Sequence, residues 1–170
     1  MAVNVSMRES MVVKPAVETP RQSRWMSNLD MISSNAHTLT IYIYNPKDGT
    51  GADNDSFFDL TVLKHVLSKA IMPFYPLAGH LMRNNDDKNA RIEINCNINA
   101  DGVLFVVANS SSCANDFANF KATLEFGRRL IPAVDYSVGI SSFPLFVAQI
   151  MYFKCSGVAL GIAFEHSIAK

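Results

Sequence analysis

The stretch that most restricts the fold is PLFVAQIMYFKCSGVALGIAFEH, residues 144–166. It is almost continuously apolar, yet Gln149, Lys154, Ser156 and its glycines interrupt it too often for a helix that crosses a bilayer. Short apolar runs bounded by turn residues read as buried strands, and Ser156-Gly157 supplies the turn chemistry between two of them. A hairpin is therefore expected, PLFVAQIMYFKC followed by GVALGIAFEH. In its second strand Val158, Leu160, Ile162 and Phe164 share one face, while Ala159, Gly161 and Ala163 share the other. The small-residue face admits a helix or second sheet at close range.

A buried hairpin needs a core around it. With 170 residues, 49% of them apolar, the chain suits one domain that needs neither disulfide nor metal to fold. The 15 basic and 15 acidic residues cancel, which removes the electrostatic case for nucleic acid or an anionic membrane. Arg128-Arg129 reads as a solvated surface feature. Cys96, Cys113 and Cys155 are odd in number, widely spaced and free of any CxxC pair, so reduced thiols in a cytosolic compartment are expected. The N-terminal MAVNVSMRESMVVKPAVETP lacks the unbroken apolar core of a signal peptide. The expectation is a soluble, cytoplasmic protein with neither a membrane nor a nucleic-acid partner.

Along the chain, Asn4 to Val13 reads as a strand ended by Lys14-Pro15, and Glu18 to Asp30 as a loop that Trp25 anchors in the core. In HTLTIYIYNP, Leu39, Ile41 and Ile43 alternate with Thr40, Tyr42 and Tyr44, the mark of a two-faced strand. KDGTGADND is a surface loop. Ser56 to Asp59 resembles a capping box, followed by Leu60, Leu63, Leu67, Ala70 and Ile71 at helical spacing until Pro73 ends the helix. MPFYPLAGHL is a rigid connector, with a core position for Phe74, and Asn84 to Asn89 a polar turn. ARIEINC and GVLFVVA are strands, expected to pair across the turn residues Asn97 to Gly102. Residues 109–137 carry little pattern, with a short helix expected near Ala114 to Phe117. The fold class is α+β, a mixed two-layer arrangement.

Chemistry is sparsely signposted. His65 lies within the helix and His80 beside a glycine, and no pair has metal-ligand spacing, so no metal site is expected. The GTG at residues 49–51 runs into acidic residues that repel phosphate. His166 differs because it ends an apolar strand. An imidazole there either accepts a proton from a hydroxyl near neutral pH or is simply the last polar residue of the strand.

The runs VKPAVETP, HTLTIYIYNP, FFDLTVLKHVLSKAIMPFYPLAGHL, RIEINCN, GVLFVVA, DFANF, LIPAVDYS and SFPLFVAQIMYFKCSGVALGIAFEH, in that order, resemble the N-terminal half of the BAHD acyltransferases. Among these plant enzymes the sequence looks most like the hydroxycinnamoyl-CoA:shikimate or quinate hydroxycinnamoyltransferases. The resemblance implies residues 1–170 as one N-terminal acyltransferase domain, with a chloramphenicol acetyltransferase-like mixed sheet flanked by helices and the family's second domain absent. It implies transfer of an acyl group from a coenzyme A thioester to a hydroxyl or amine, here a hydroxycinnamoyl-type group to a hydroxyl such as that of shikimate or quinate, with acyl-CoA as co-substrate and no bound cofactor.

The family's His-x-x-x-Asp motif stands here as His166-Ser167-Ile168-Ala169-Lys170. The resemblance makes His166 the general base and places Thr38, Thr40 and Tyr42 in the substrate cleft. Lys170 departs from the motif: it inverts the charge of an aspartate that the family uses in a structural ion pair. Losing such a pair costs about 3–5 kcal/mol when one partner stays buried. The resemblance also implies association through an exposed inter-domain face, and it leaves open a truncated, non-catalytic chain that only binds a ligand or a partner.

Overall fold

The computed structural model describes residues 4–31, 36–46, 58–87, 91–97, 102–114 and 128–168. The strands are β1 (Val5–Val13), β2 (Ser23–Trp25), β3 (His37–Tyr44), β4 (His80–Arg83), β5 (Ile92–Asn95), β6 (Val103–Ser110), β7 (Phe146–Phe153) and β8 (Val158–Glu165). The helices are α1 (Asn28–Met31) and α2 (Leu60–Ala70), with 3-10 turns at Tyr75–Ala78 and His166–Ile168. Five strands form one sheet in the order β1-β6-β7-β8-β3, and β2-β5-β4 form a second. The expected hairpin is present: β7 and β8 are antiparallel, with Phe146 opposite Phe164 and Tyr152 opposite Val158. A single parallel pair, β6 with β7, makes the large sheet mixed, so the architecture is the α+β one expected.

The two faces of β8 pack as their side chains dictate. Val158, Leu160 and Ile162 join Phe105, Val107, Ala148 and Ile150 in a core closed by Leu60, Leu63, Leu67 and Ile71 of the α2 segment. On the other face residues 128–131 come so close that a Cβ on Gly161 would lie 2.0 Å from the Leu130 carbonyl oxygen. Helix α2 starts at Asp59, whose carboxylate accepts the Val62 N–H at 2.8 Å. Asp59 therefore caps the helix, and Ser56 lies outside the described residues. The helix ends where the Ile71 N–H reaches the Leu67 carbonyl at 3.0 Å, two residues before Pro73.

Four expectations fail. ARIEINC and GVLFVVA do not pair: β6 is apolar on both faces and takes an inner place between β1 and β7, while β5 lies between β2 and β4 in the other sheet. Trp25 and Phe74 are not core residues but are 58% and 62% exposed; Trp25 belongs to β2 and has the Arg91 guanidinium over its ring at 5.6 Å. The reading of Glu18 to Asp30 as loop thus missed both β2 and α1. Finally, Cys113 and Cys155 are joined in a disulfide, with Cα atoms 5.3 Å apart, rather than reduced. Parallel β6 and β7 end at the same edge of the sheet, so the residues just beyond them meet despite 42 positions of separation. Cys96 is free and buried, and burial pushes its thiol up. The KDGTGADND loop, the interior of the Asn97–Gly102 turn, the helix expected near Ala114 to Phe117, and Lys170 fall outside the described residues.

Candidate active site

Strand β8 ends because Glu165 turns its side chain back under the chain. Its carboxylate Oε2 accepts the Ser167 N–H at 2.8 Å and the Ser167 hydroxyl as well, which closes the 3-10 turn His166–Ile168. Glu165 is completely buried, and its own N–H donates to the Leu145 carbonyl at 2.8 Å. The turn is held on the other side by the His166 N–H, which donates to the Ala36 carbonyl at 3.1 Å. The backbone of His166 is thus fixed from two directions while its ring stands exposed.

That ring has a partner on the neighbouring strand. His166 Nδ1 lies 3.0 Å from the Thr38 hydroxyl, and Thr38 faces Phe164 across β3 and β8. A hydroxyl both donates and accepts. In the arrangement where Thr38 accepts, Nδ1 carries the hydrogen and the Nε2 lone pair is left to take a proton. Thr40 and Tyr42 share the face of Thr38, opposite Ile162 and Leu160. At strand spacing they stand about 7 and 13 Å further along β3, too far to touch the imidazole. Of the sequence-predicted site residues, the structure brings together His166 and Thr38 and leaves Thr40 and Tyr42 as lining of the same face.

The opposite face of this strand pair carries polar residues that sequence reasoning missed. His37, the register partner of Glu165, has Nε2 at 2.9 Å from the Pro144 carbonyl and Nδ1 at 2.6 Å from the Tyr136 hydroxyl. A carbonyl only accepts, so Nε2 is the protonated nitrogen and Nδ1 receives the Tyr136 O–H. Burial holds His37 below its ordinary value, against the raising effects of the Pro144 bond and of Glu165. Burial likewise pushes the Tyr136 phenol up. One signal was available in the sequence: Glu165 continues the face of Ala159, Gly161 and Ala163, where a charged side chain is out of keeping.

Among the described residues no group of three or more His, Cys, Asp or Glu is placed to hold a metal. No helix among them is long and apolar enough to cross a membrane. The chemistry on offer is proton transfer at a strand end, on the face that carries Thr38 and Phe164.

A mixed-sheet α+β domain that presents a hydroxyl-held histidine at the end of its inner hairpin is the kind of lobe from which acyltransferases are built. The family model described as the Transferase family matches residues 3–170, and the chain belongs to that family, the BAHD acyltransferases. It is 51% identical over 167 residues to the shikimate O-hydroxycinnamoyltransferase of Nicotiana tabacum, covering 98% of this chain and 36% of the relative. It is 45% identical over 170 residues to a hydroxycinnamoyl-CoA:5-hydroxyanthranilate N-hydroxycinnamoyltransferase of Avena sativa, covering 97% of the chain and 37% of that relative. The crystal structure of vinorine synthase superposes with a TM-score of 0.74 at 25% identity, over 96% of this chain and 38% of that one. The chain therefore spans somewhat more than a third of the length of the curated relatives it matches.

Proposed function

We propose that this chain supplies the proton-accepting lobe of an enzyme that moves a hydroxycinnamoyl group from a coenzyme A thioester to a hydroxyl of shikimate or quinate. The observation that carries the reading is the 3.0 Å contact between His166 Nδ1 and the Thr38 hydroxyl; in the tautomer where Thr38 accepts, Nε2 is left to act as base. In the step proposed, Nε2 takes the proton of the acceptor hydroxyl as its oxygen bonds to the thioester carbonyl carbon. The tetrahedral intermediate then collapses, the carbon–sulfur bond breaks, and the imidazolium returns its proton to the departing thiolate. Base catalysis of this kind contributes about 10²–10⁴ in rate, and alignment of the two reactants contributes the rest. Thr40 and Tyr42 line the approach to the base. Support for a hydroxyl rather than an amine acceptor comes from the 51% identical tobacco relative, whose name specifies O-transfer to shikimate; the oat relative's name specifies N-transfer. The exposed apolar side chains of the edge strand β3, Leu39 and Tyr42, suit association with a further lobe.

A second reading is favoured by one residue. Lys170 stands where the family motif has aspartate, which suits a chain that binds ligand without turning it over. Coenzyme A release from p-coumaroyl-CoA in the presence of shikimate separates the two. Release that falls about 10²–10⁴-fold in His166→Ala supports the transferase. Binding by calorimetry with release no greater than that of His166→Ala supports the binding-only reading, and absence of both sinks the two together.

A further inference from the structure

The face of the large sheet turned away from Thr38 and Phe164 carries a cavity of about 450 Å³, within the range of small-molecule sites. Its floor is one row of the sheet register. Ser10 on β1 is opposite Val106 on β6, and Val106 is beside Gln149 on β7. The row continues to Gly161 on β8, where the missing side chain lets residues 128–131 settle on the sheet. The cavity lies between that segment and β1, both of which line it.

Two features of the sequence that the acyl-transfer reading leaves unused meet here. The first is Gln149, a polar residue inside the apolar strand FVAQIMYF and only 5% exposed. Its amide donates to the Arg129 carbonyl at 3.0 Å, which pins the arginine backbone at the cavity edge. The second is the pair Arg128-Arg129, read from the sequence as a solvated surface feature. Both line the cavity, Arg128 exposed and Arg129 half-buried.

None of the described residues that line the cavity is acidic. Glu9, the acidic residue of β1, turns to the other face and bridges Lys64 of α2 at 3.3 Å. In a chain of zero formal net charge, the two guanidinium groups are a local concentration of positive charge. Such groups recognise carboxylates and phosphates through paired N–H···O bonds. Leu104, Val106 and Ala108 beneath them, with Ile131 and Pro132 at the side, favour an anion with a hydrophobic body over a small hydrated one.

We propose that this cavity is a second ligand site, for an apolar carboxylate whose carboxyl group meets Arg128 and Arg129 and whose body lies on Val106. The sheet separates it from the imidazole. Phe164 shares the face of Leu160 and Ile162, whereas Gly161 and its partner Gln149 belong to the other. The site therefore goes beyond the acyl-transfer reading and does not depend on it.

The probe is cinnamate, with methyl cinnamate as the uncharged control and inorganic phosphate as the anion without an apolar body. In a ¹⁵N-labelled sample of the 170-residue chain, cinnamate is expected to shift the Gln149 side-chain amide and the Val106 backbone amide saturably. Neither control is expected to do so at the same concentration. Arg128→Ala, at an exposed position, is expected to weaken the cinnamate response about tenfold, and Arg128→Lys, which keeps the charge but loses the fork, about threefold. A response to the ester equal to that of the acid overturns the proposal, as does unchanged affinity in both Arg128 variants. Saturation by phosphate as tight as that by cinnamate overturns the ligand class. Cinnamate shifts confined to His166 and Thr38 place the acid on the opposite face; they sink the second site and leave the base reading intact. Absence of any shift sinks the second site alone.

Discussion

Replacing Gly161 by alanine puts the close packing behind β8 to the test. Gly161 is held between Gln149 on β7 and Ile41 on β3, so its backbone has no room to move. An added Cβ would stand 2.0 Å from the Leu130 carbonyl oxygen, 2.8 Å from Ile131 Cγ1 and 2.9 Å from the Leu130 carbonyl carbon. To restore ordinary contact, residues 128–131 must retreat by about 1.4 Å. Leu130 and Ile131, 1% and 4% exposed, would then lose their seat on the sheet. The Gln149 side-chain amide, which donates to the Arg129 carbonyl at 3.0 Å, would be pulled out of reach. Overpacking of this severity costs about 3 kcal/mol, and the lost hydrogen bond adds about 1 kcal/mol. The total, about 4 kcal/mol, is a large part of the roughly 5–15 kcal/mol that holds a domain together.

Urea unfolding followed by far-UV circular dichroism reads this directly. With a slope of about 2 kcal/mol/M, the midpoint of Gly161→Ala should fall by about 2 M with the slope unchanged. Gly139→Ala is the control, since Gly139 has φ +119° but no atom within 4 Å of an added Cβ. It should lose only the backbone term, about 1–2 kcal/mol. A Gly161→Ala protein within about 0.5 kcal/mol of the parent would mean that residues 128–131 do not lie against β8, and the account of that face would be wrong.

Glu165→Ala strands the buried Ser167 N–H and hydroxyl and should cost about 2–4 kcal/mol in the same assay, whereas Glu165→Gln keeps an acceptor oxygen and should cost about 1 kcal/mol or less; equal stability of Glu165→Ala and parent would show that the carboxylate does not hold the turn. His37 is held below its ordinary value of 6.5, so the unfolded chain takes up the proton first. Stability should therefore be full above pH 6.5 and decline as pH falls below it, and His37→Gln should lose that part of the slope in midpoints measured between pH 5 and 7.5. In denaturant without reductant, one thiol per chain, that of Cys96, should react with Ellman's reagent, and three after reduction. Cutting the bridge, which spans 42 residues, should cost about 4 kcal/mol on the chain-entropy account, and three reactive thiols in the unreduced sample would rule the bridge out.

What could be read from the sequence was whatever one segment carries by itself. Alternation marked β3 and β5, the Leu60-Leu63-Leu67 spacing marked α2, and Ser156-Gly157 marked the turn of the β7–β8 hairpin. The small face of β8 correctly announced a close neighbour, although not which segment that would be. Pairings between distant segments were not legible. GVLFVVA reads as a buried strand wherever it is placed, and only the assembled sheet shows β1 and β7 beside it rather than β5. The Cys113–Cys155 pair depends on the parallel register of β6 and β7, which no spacing rule contains. Trp25 and Phe74 were misread for a related reason. Apolarity predicts burial on average, and two rings that line a cavity beside Ile168 are the exception to that average. Of the site, His166 came from the family motif and Thr38 from the resemblance of the strand HTLTIYIY. Glu165, which closes the turn from the other face, and His37, its register partner, are ordinary residues until β3 and β8 set them side by side.

The division of labour across β8 explains why the histidine alone does not determine what reaction follows. One face fixes the geometry: Gly161 admits residues 128–131, and the Glu165 carboxylate closes the turn. The other face presents the imidazole next to Thr38, exposed to water. On the proposed reading, a base so exposed would take a proton from water as readily as from an acceptor hydroxyl, and only exclusion of water would tip thioester cleavage toward transfer. The exclusion must come from whatever covers the face that carries Thr38, Thr40 and Tyr42. If this chain by itself turns over p-coumaroyl-CoA with shikimate, free p-coumarate should therefore exceed the shikimate ester, and both should disappear in His166→Ala. Predominance of the ester would mean that the described face already shields its base, contrary to the exposure of His166.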